Sequence, residues 1–429
     1  MLKILSAMYV IYLTFSIAHV ITYFTLFKKK ENIVCQYKLK GALSMGTSDE
    51  NKQSRVLSGV HFMLGNYACV EGALAAGCDF FAGYPITPAN EISERMSQRL
   101  PAVGGHFLQG EDELCSIYAI SGASLAGAKA MTATASAGYN YMQEGIGYAV
   151  AIEAPIVIVD VQRCRGENFA TQADVMQMRW GVSGDHEMIV LAPSSVQELF
   201  DYTVRAFNLA EQYRTPVVVM SETTIALMRE RLSIPEASDI PIVHRKRTTA
   251  SPEEYMPFKA DPFGVPDFAE LGEGYHTIYS LNPHDEKGSI DWDPDVFERL
   301  YKRITGKIWE NRHSISTTQT FNMGDADVAL IAYGSEVRPC LDAMDLAREK
   351  GMKVGVLKLD AVWPVPEEAI RDVAKNVGTV ISVEMNIGKY AGEIERVCGG
   401  LCKTARATRN RGLIHSPQEI VTVIEEVWA

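Results

Sequence analysis

The chain has 429 residues, 47% of them apolar and 22% charged, with 41 basic against 53 acidic side chains for a net charge of −12. That length accommodates two or three domains with sizeable cores, and the acidic balance speaks against nucleic acid as a partner, which calls for a clustered basic face. The eight cysteines are scattered at no zinc or iron–sulfur spacing, so reduced thiols in a reducing, cytoplasmic compartment are expected.

Residues Ile4 to Phe27 are uncharged with His19 neutral, and Lys28-Lys29-Lys30 follows them. Length and flanking charge would allow a membrane span with the remainder in the cytoplasm. The segment carries six Ser, Thr or His residues, however, and Met45 opens a polar run, "MGTSDENKQSR". Residues 1–44 are therefore expected to be an over-extended start, with a membrane anchor as the alternative.

From Gly65 strands and helices alternate. "GNYACVEGALAAGC" reads as a helix of small residues and "DFFAGY" as a short buried strand. "ANEISERMSQRL" is an amphipathic helix with Ile92, Met96 and Leu100 on one face. Then come "GHFLQ" as strand, "EDELCSIYAISGASLAG" as helix, "AKAMTATAS" as strand, "YNYMQEGIGYAVAIEA" as helix and "PIVIVDVQ" as the most apolar strand. "EMIVLA", a helix starting after Pro193-Ser194-Ser195, and "TPVVVMS" complete a region at 59–234. This alternation predicts a doubly wound parallel sheet with helices on both faces. Residues 235–323 hold eight of the eighteen prolines and break the rhythm, as a long connecting region would. The α/β alternation resumes over 324–429 and ends in a helix started by Ser416 and Pro417.

The usual nucleotide and hydrolase motifs are missing. There is no G-x-G-x-x-G, Walker A loop, H-E-x-x-H or G-x-S-x-G, and Gly324-Asp325-Ala326-Asp327 precedes a strand, as a turn does. Three strand ends remain: Tyr84 to Pro88, Gln109 to Glu113 and Gln162 to Thr171. They would converge on one edge of a doubly wound sheet, where ligands bind. Pro85 and Pro88 bias Tyr84 and Thr87 to extended conformations. Thr87 either offers its hydroxyl to an anion beside a helix N-terminus or simply caps that helix with Pro88 at its first position. Glu111, Asp112 and Glu113 either carry chemistry or complement a helix dipole. Arg163 and Arg165 either bind a carboxylate or pair with Glu167.

"YPITP", the "EDE" helix start, "GASLAGAKAMTATASAGYNYM" and the stretch from "GDHEMIVLAPSS" to "TPVVVMSE" resemble the alpha subunit of 2-oxoacid:ferredoxin oxidoreductases, in the branch acting on 2-oxoglutarate or branched-chain 2-oxoacids. "AVWPVPEEAI" and "VISVEMNIGKYAGEIERV" are similar to the second domain of the same subunit. The resemblance runs from about Phe62 to the C-terminus. It implies a pyrimidine-binding domain of thiamine-diphosphate enzymes at 59–234, followed after the connecting region by a transketolase C-terminal-like domain at 324–429. It further implies CoA-dependent oxidative decarboxylation of a 2-oxoacid, 2-oxoglutarate to succinyl-CoA favoured, with electrons passed to ferredoxin. Glu113 falls on the catalytic carboxylate that hydrogen-bonds the aminopyrimidine and promotes the tautomer that takes the thiazolium C2 proton. Thr87 and Arg163 fall on positions that meet the substrate carboxylate. Ser136, Gly138 and Tyr139, in the turn after "TATA", would line the cofactor.

The run after Arg163 departs from the branch, which has Gly-Gly-Pro-Ser-Thr-Gly there. This chain has Cys164, Arg165, Gly166, Glu167, Asn168, Phe169, Ala170 and Thr171. Arg165 could hold a second carboxylate, favouring 2-oxoglutarate, whereas Phe169 could narrow the pocket for a branched chain, as in 3-methyl-2-oxobutanoate. A non-catalytic accessory subunit is the reading of a different class. With no diphosphate loop and no clustered cysteines, thiamine diphosphate would be shared with a beta subunit that brings Mg²⁺ and a [4Fe-4S] cluster; no metal site is expected on this chain. Gamma and ferredoxin-like delta subunits, ferredoxin and CoA complete the implied partners, with apolar surface around 110–150 turned toward the beta subunit.

Overall fold

The computed structural model describes residues 54–164 and 169–428. The expected extension at 1–44 and the Arg165–Asn168 part of the altered loop, with its candidate Arg165, lie outside the described residues. Strand β1 (Gly59–Leu64) leads into helix α1 (Gly65–Ala75). There follow β2 (Phe80–Gly83), α2 (Asn90–Ala102), β3 (His106–Gln109), α3 (Glu113–Leu125), β4 (Ala130–Thr134), α4 (Ser136–Tyr141), α5 (Gln143–Ala151) and β5 (Ile156–Gln162). The single helix expected over "YNYMQEGIGYAVAIEA" is two helices, α4 and α5. They are joined at Met142, which ends the first and starts the second. Ser136 and Gly138 accordingly sit in the first turn of α4 rather than in a turn before it.

After the short α6 (Gln177–Trp180) come β6 (Ile189–Leu191), α7 (Val196–Tyr213), β7 (Val217–Glu222), α8 (Thr223–Leu227) and β8 (Arg229–Ile234). Helix α7 starts where the sequence signals it, the Ser195 hydroxyl accepting from Glu198 N–H at 3.1 Å. Among the described residues a seven-stranded sheet runs in the order β12-β6-β7-β5-β4-β2-β3, and its members from β2 to β7 are parallel. Along β5, Ile156 and Ile158 enter one apolar layer, while Val157, Val159 and Val161 enter the other. A strand covered on both faces must be apolar on both faces, which is why "IVIVDV" reads as a continuous run. From β2 the chain steps to β3 on one side, then crosses back to β4 on the other. The switch point of this doubly wound sheet therefore lies between β2 and β4, and ligands bind outside the carboxyl ends of strands at such a point.

The C-terminal part begins with α9 (Pro294–Trp309), α10 (Arg312–Ile315) and β9 (Thr318–Phe321), then β10 (Val328–Ala332), α11 (Val337–Glu349), β11 (Val354–Leu359) and β12 (Ala361–Trp363). It closes with α12 (Glu367–Asn376), β13 (Thr379–Glu384), α13 (Ala391–Cys398), β14 (Lys403–Thr408) and α14 (Pro417–Trp428). Its sheet is ordered β14-β13-β10-β11-β9, with only β9 antiparallel. Strand β9 comes from the proline-rich middle. Strand β12 leaves this part altogether and pairs antiparallel with β6 at the edge of the first sheet, an exchange no local pattern announces.

Buried polar contacts fasten the two sheets. Trp363 Nε1 donates to Val175 O at 2.7 Å, and Lys358 is bound by Glu198 and by Asp360 at 2.9 Å. Glu222, at the end of β7, is buried and accepts from Ser335 N–H at 2.7 Å, while its other oxygen has no partner among the described residues. Gly334 has φ +59° and a Cβ there would lie 2.7 Å from Glu222 Oε1, so only glycine suits both backbone and space. Burial, with Glu336 adding to it, pushes the Glu222 carboxyl up from 4.5 to about 7. An acid raised in the folded state has its stabilising contribution in full below pH 4.5 and loses it as pH rises through 7. The loss is on the order of 3 kcal/mol at most. The melting temperature of Glu222→Gln, followed from pH 5 to 8, is therefore expected to gain steadily on that of the unsubstituted protein.

Candidate active site

Each candidate residue follows a parallel strand, so all lie along one edge: Thr87 after β2, Glu113 after β3, Ser136 and Gly138 after β4, and Arg163 after β5. The loops after β2 and β3 are tied by Gly110 N–H donating to Gly83 O at 3.0 Å. Thr87 does not sit in an extended run. The Thr87–Pro88 peptide is cis, and Ala89 N–H donates to Ile86 O at 2.9 Å, closing a turn with proline at its third position. Nor does Thr87 cap a helix: α2 starts at Asn90 with Ala89 before it and no side-chain cap. The proline pair that biases each preceding residue away from helix thus makes a turn, held by Asn66 donating to Pro88 O at 2.7 Å. Its hydroxyl accepts from Asn90 Nδ2 at 3.3 Å.

Glu113 is the first residue of α3. Its neighbour Asp112 serves as the cap, accepting from Cys115 N–H at 2.6 Å. Glu113, in the first turn of α3, still sits where an acid complements the helix dipole. Glu113 is 8% exposed and lies against Gly138: a Cβ at 138 would come within 2.5 Å of Glu113 Oε1 and collide with Thr134 Oγ1. Thr134 Oγ1 is itself buried with no partner among the described residues. A carboxylate and an orphaned hydroxyl thus meet over a glycine beside the switch point. Those two groups are of the chemistry that would meet a heteroaromatic ring with hydrogen-bonding edges, as the aminopyrimidine of thiamine diphosphate has.

The Ser136 hydroxyl accepts from Arg163 N–H at 3.1 Å and donates to the carboxylate of Asp174. Ser136, Arg163 and Asp174 line a cavity of about 460 Å³, together with Asn140, Cys164 and Asn410. Asn410 follows β14, so the second sheet supplies part of the wall. Tyr139 is 1% exposed and belongs to the same apolar core layer as Ile117, Ile146 and Ile158. Burial holds its phenol well above the usual range, with Asp160 and Asp174 adding to the effect. Neither oxygen of fully buried Asp160 has a partner of ordinary geometry among the described residues. Burial and then Asp174 raise its pKa, and the Ser136 backbone N–H only moderates the rise. Asp174 and Asp160 are the polar residues that the sequence reading missed. "QAD" in an irregular run carries no local signal, and Asp160 is masked inside the most apolar strand.

A carboxylate at the switch point of a doubly wound sheet, with a second α/β sheet packed on it, is the architecture of thiamine-diphosphate enzymes. A split-gene transketolase shares this fold, with a TM-score of 0.50 at 11% identity over 85% of this chain and 98% of that one. Residues 71–296 match the family model of the thiamine-diphosphate-binding domain of pyruvate flavodoxin/ferredoxin oxidoreductases, and residues 326–420 match core domain II of pyruvate:ferredoxin oxidoreductase. The 2-oxoglutarate synthase subunit KorA of Methanothermobacter thermautotrophicus is 44% identical over 85% of this chain and 98% of its own length. The ketoisovalerate oxidoreductase subunit VorB of Methanothermobacter marburgensis is 35% identical over 85% of this chain and 96% of its own length. The structure of a 2-oxoglutarate:ferredoxin oxidoreductase from Magnetococcus marinus, with 2-oxoglutarate, coenzyme A and succinyl-CoA bound, superposes with a TM-score of 0.81. It is 30% identical, and the match covers 86% of this chain and 65% of that one. The chain belongs to the 2-oxoacid:ferredoxin oxidoreductase family, as an alpha subunit. No described helix is long and apolar enough to cross a membrane.

The close approach of Gly138 to Glu113 makes a direct test. Gly138→Ala forces a methyl group against the carboxylate and the Thr134 hydroxyl. It is expected to lower stability by about 1–3 kcal/mol in denaturant titrations and to weaken thiamine diphosphate retention in the assembled enzyme.

Proposed function

We propose that this chain is the alpha subunit of a 2-oxoglutarate:ferredoxin oxidoreductase, which converts 2-oxoglutarate and CoA to succinyl-CoA and CO₂ and passes two electrons to ferredoxin. The observation that carries this is Glu113 lying against Gly138 at the switch point. The oxoacid is favoured by the 44% identity to the 2-oxoglutarate synthase subunit over the 35% identity to the ketoisovalerate one.

Thiamine diphosphate, when bound, supplies the electron sink for losing CO₂ from a 2-oxoacid. Glu113 would hold the pyrimidine ring, sharing a proton between its carboxylate and a ring nitrogen. Ser136 and Gly138, in the first turn of α4, would form the floor beneath that ring. Thr87, on the turn after β2, and Arg163, on the wall of the 460 Å³ cavity, would meet the substrate carboxylate. An arginine suits that task because its planar fork matches a carboxylate in two hydrogen bonds. Asn410, beyond β14, forms part of the wall of that cavity.

The diphosphate and Mg²⁺, the [4Fe-4S] cluster and the ferredoxin contact fall to a beta subunit, with gamma and ferredoxin-like delta subunits as further members. The absence of a Gly-Asp-Gly diphosphate loop in this sequence supports that division. Tyr118 and Tyr141, 39% and 53% exposed, offer the apolar surface expected between 110 and 150 for the beta subunit.

Glu113→Gln, in the assembled enzyme, is expected to lower kcat for CoA-dependent viologen reduction by about 10²–10⁴-fold, with the subunits still associating. Turnover equal to that of the unsubstituted enzyme would remove Glu113 from the mechanism.

A further inference from the structure

Arg163 is the first residue beyond β5, whose ladder ends with Gln162 paired to Glu222. Its backbone N–H donates to the Ser136 hydroxyl at 3.1 Å. A serine hydroxyl rotates freely and has one hydrogen to give. Two acceptors compete for that hydrogen: the Arg163 carbonyl at 3.1 Å and the Asp174 carboxylate, which is closer. A hydrogen bond to a carboxylate is the stronger of the two. While Asp174 takes the hydrogen, a lone pair of Ser136 is left pointing at Arg163 N–H.

Asp174 is itself held. Its backbone N–H donates to Gln162 Oε1 at 3.0 Å. The preceding residue is gripped from the second sheet, Lys389 Nζ donating to Ala173 O at 2.7 Å. The ring of contacts Gln162–Asp174–Ser136–Arg163 is thus closed, and three of its members line the 460 Å³ cavity.

Resting on the reading of Arg163 as a carboxylate-binding residue, we propose that Asp174 is a positioning residue for the 2-oxoacid. By orienting the Ser136 hydroxyl it fixes the Arg163 peptide, and so sets how the guanidinium enters the cavity. Its effect on the substrate is exerted through Ser136 and Arg163. Removing it should loosen binding without slowing the chemistry.

The test uses the assembled enzyme. Asp174→Ala is expected to raise KM for 2-oxoglutarate about tenfold with kcat changed less than about twofold. Asp174→Asn keeps a carbonyl acceptor and should return KM to within about threefold of normal. Ser136→Ala, a change beneath the proposed pyrimidine site, is compared for glutarate affinity only: it should lose as much affinity as Asp174→Ala, and the double variant no more than either single one, as expected of groups acting through one contact. Calorimetric titration with glutarate, which lacks the reactive oxo group, should rank the variants the same way without any turnover. Unchanged KM and glutarate affinity in Asp174→Ala, an equal loss in kcat and KM, Asn no better than Ala, or additive effects in the double variant would each overturn the proposal. An unsubstituted enzyme that oxidises no 2-oxoacid would end the functional reading instead, and glutarate affinity would then decide on Asp174 alone.

Discussion

The geometry of the candidate site depends on how the loop leaving β5 is anchored, and Gln172 does the anchoring. Its side chain accepts from Met385 N–H at 2.9 Å and donates to Tyr333 O at 2.8 Å. Its backbone donates to Met385 O at 3.0 Å and accepts from Asn386 at 3.0 Å. Gln172 is fully buried, and a buried loop must find partners for its polar backbone or forfeit the cost of desolvating it. The loop after β5 belongs to no sheet, so the second sheet supplies those partners. With Gln162 accepting from Asp174 N–H and Lys389 donating to Ala173 O, that anchor helps hold Asp174, two residues on, against Ser136.

The same contacts couple the two sheets to the cavity. Strand β12 extends the first sheet from a segment of the second part, and Asn410 reaches the cavity from beyond β14. Relative movement of the two sheets would therefore reshape the walls around Arg163. The ion pairs at the seam, Lys358 with Glu198 and Asp360 and Arg338 with Glu230, are partly or fully withdrawn from water. Breaking a withdrawn pair strands a charge, which costs more than making the pair gains. Such contacts specify one docking arrangement more than they add to stability.

Most of the chemistry at the sheet edge was legible because it follows from local rules. Strand ends carry the loops, and a helix start accommodates an acidic residue; those two rules marked the segments, and the family resemblance picked Thr87, Glu113 and Arg163 within them. The rules alone could not tell Glu113 from Glu111 or Asp112, since any acid suits a helix N-terminus. In the structure it is the Glu113 carboxylate that lies against Gly138, while Asp112 caps the helix. Local rules also misjudged Thr87, since two proline restraints are met as well by a turn as by an extended run. The choice is made by Asn66, twenty-two residues upstream of Pro88.

The sequence by itself determined the α/β alternation of its two regular regions, the burial of the parallel strands on both faces and helix starts such as Ser195 and Ser416. Each of these depends on residues within a few positions of one another, and hydrophobic periodicity and capping act over that range. Only the tertiary structure decided that β12 crosses to the first sheet, that Gln172 pins the loop and that Asp174 takes the Ser136 hydrogen. Those contacts join residues 38 to 214 positions apart. Their partners are chosen by which groups the packed layers leave buried and unsatisfied, and that exists only once the layers have met.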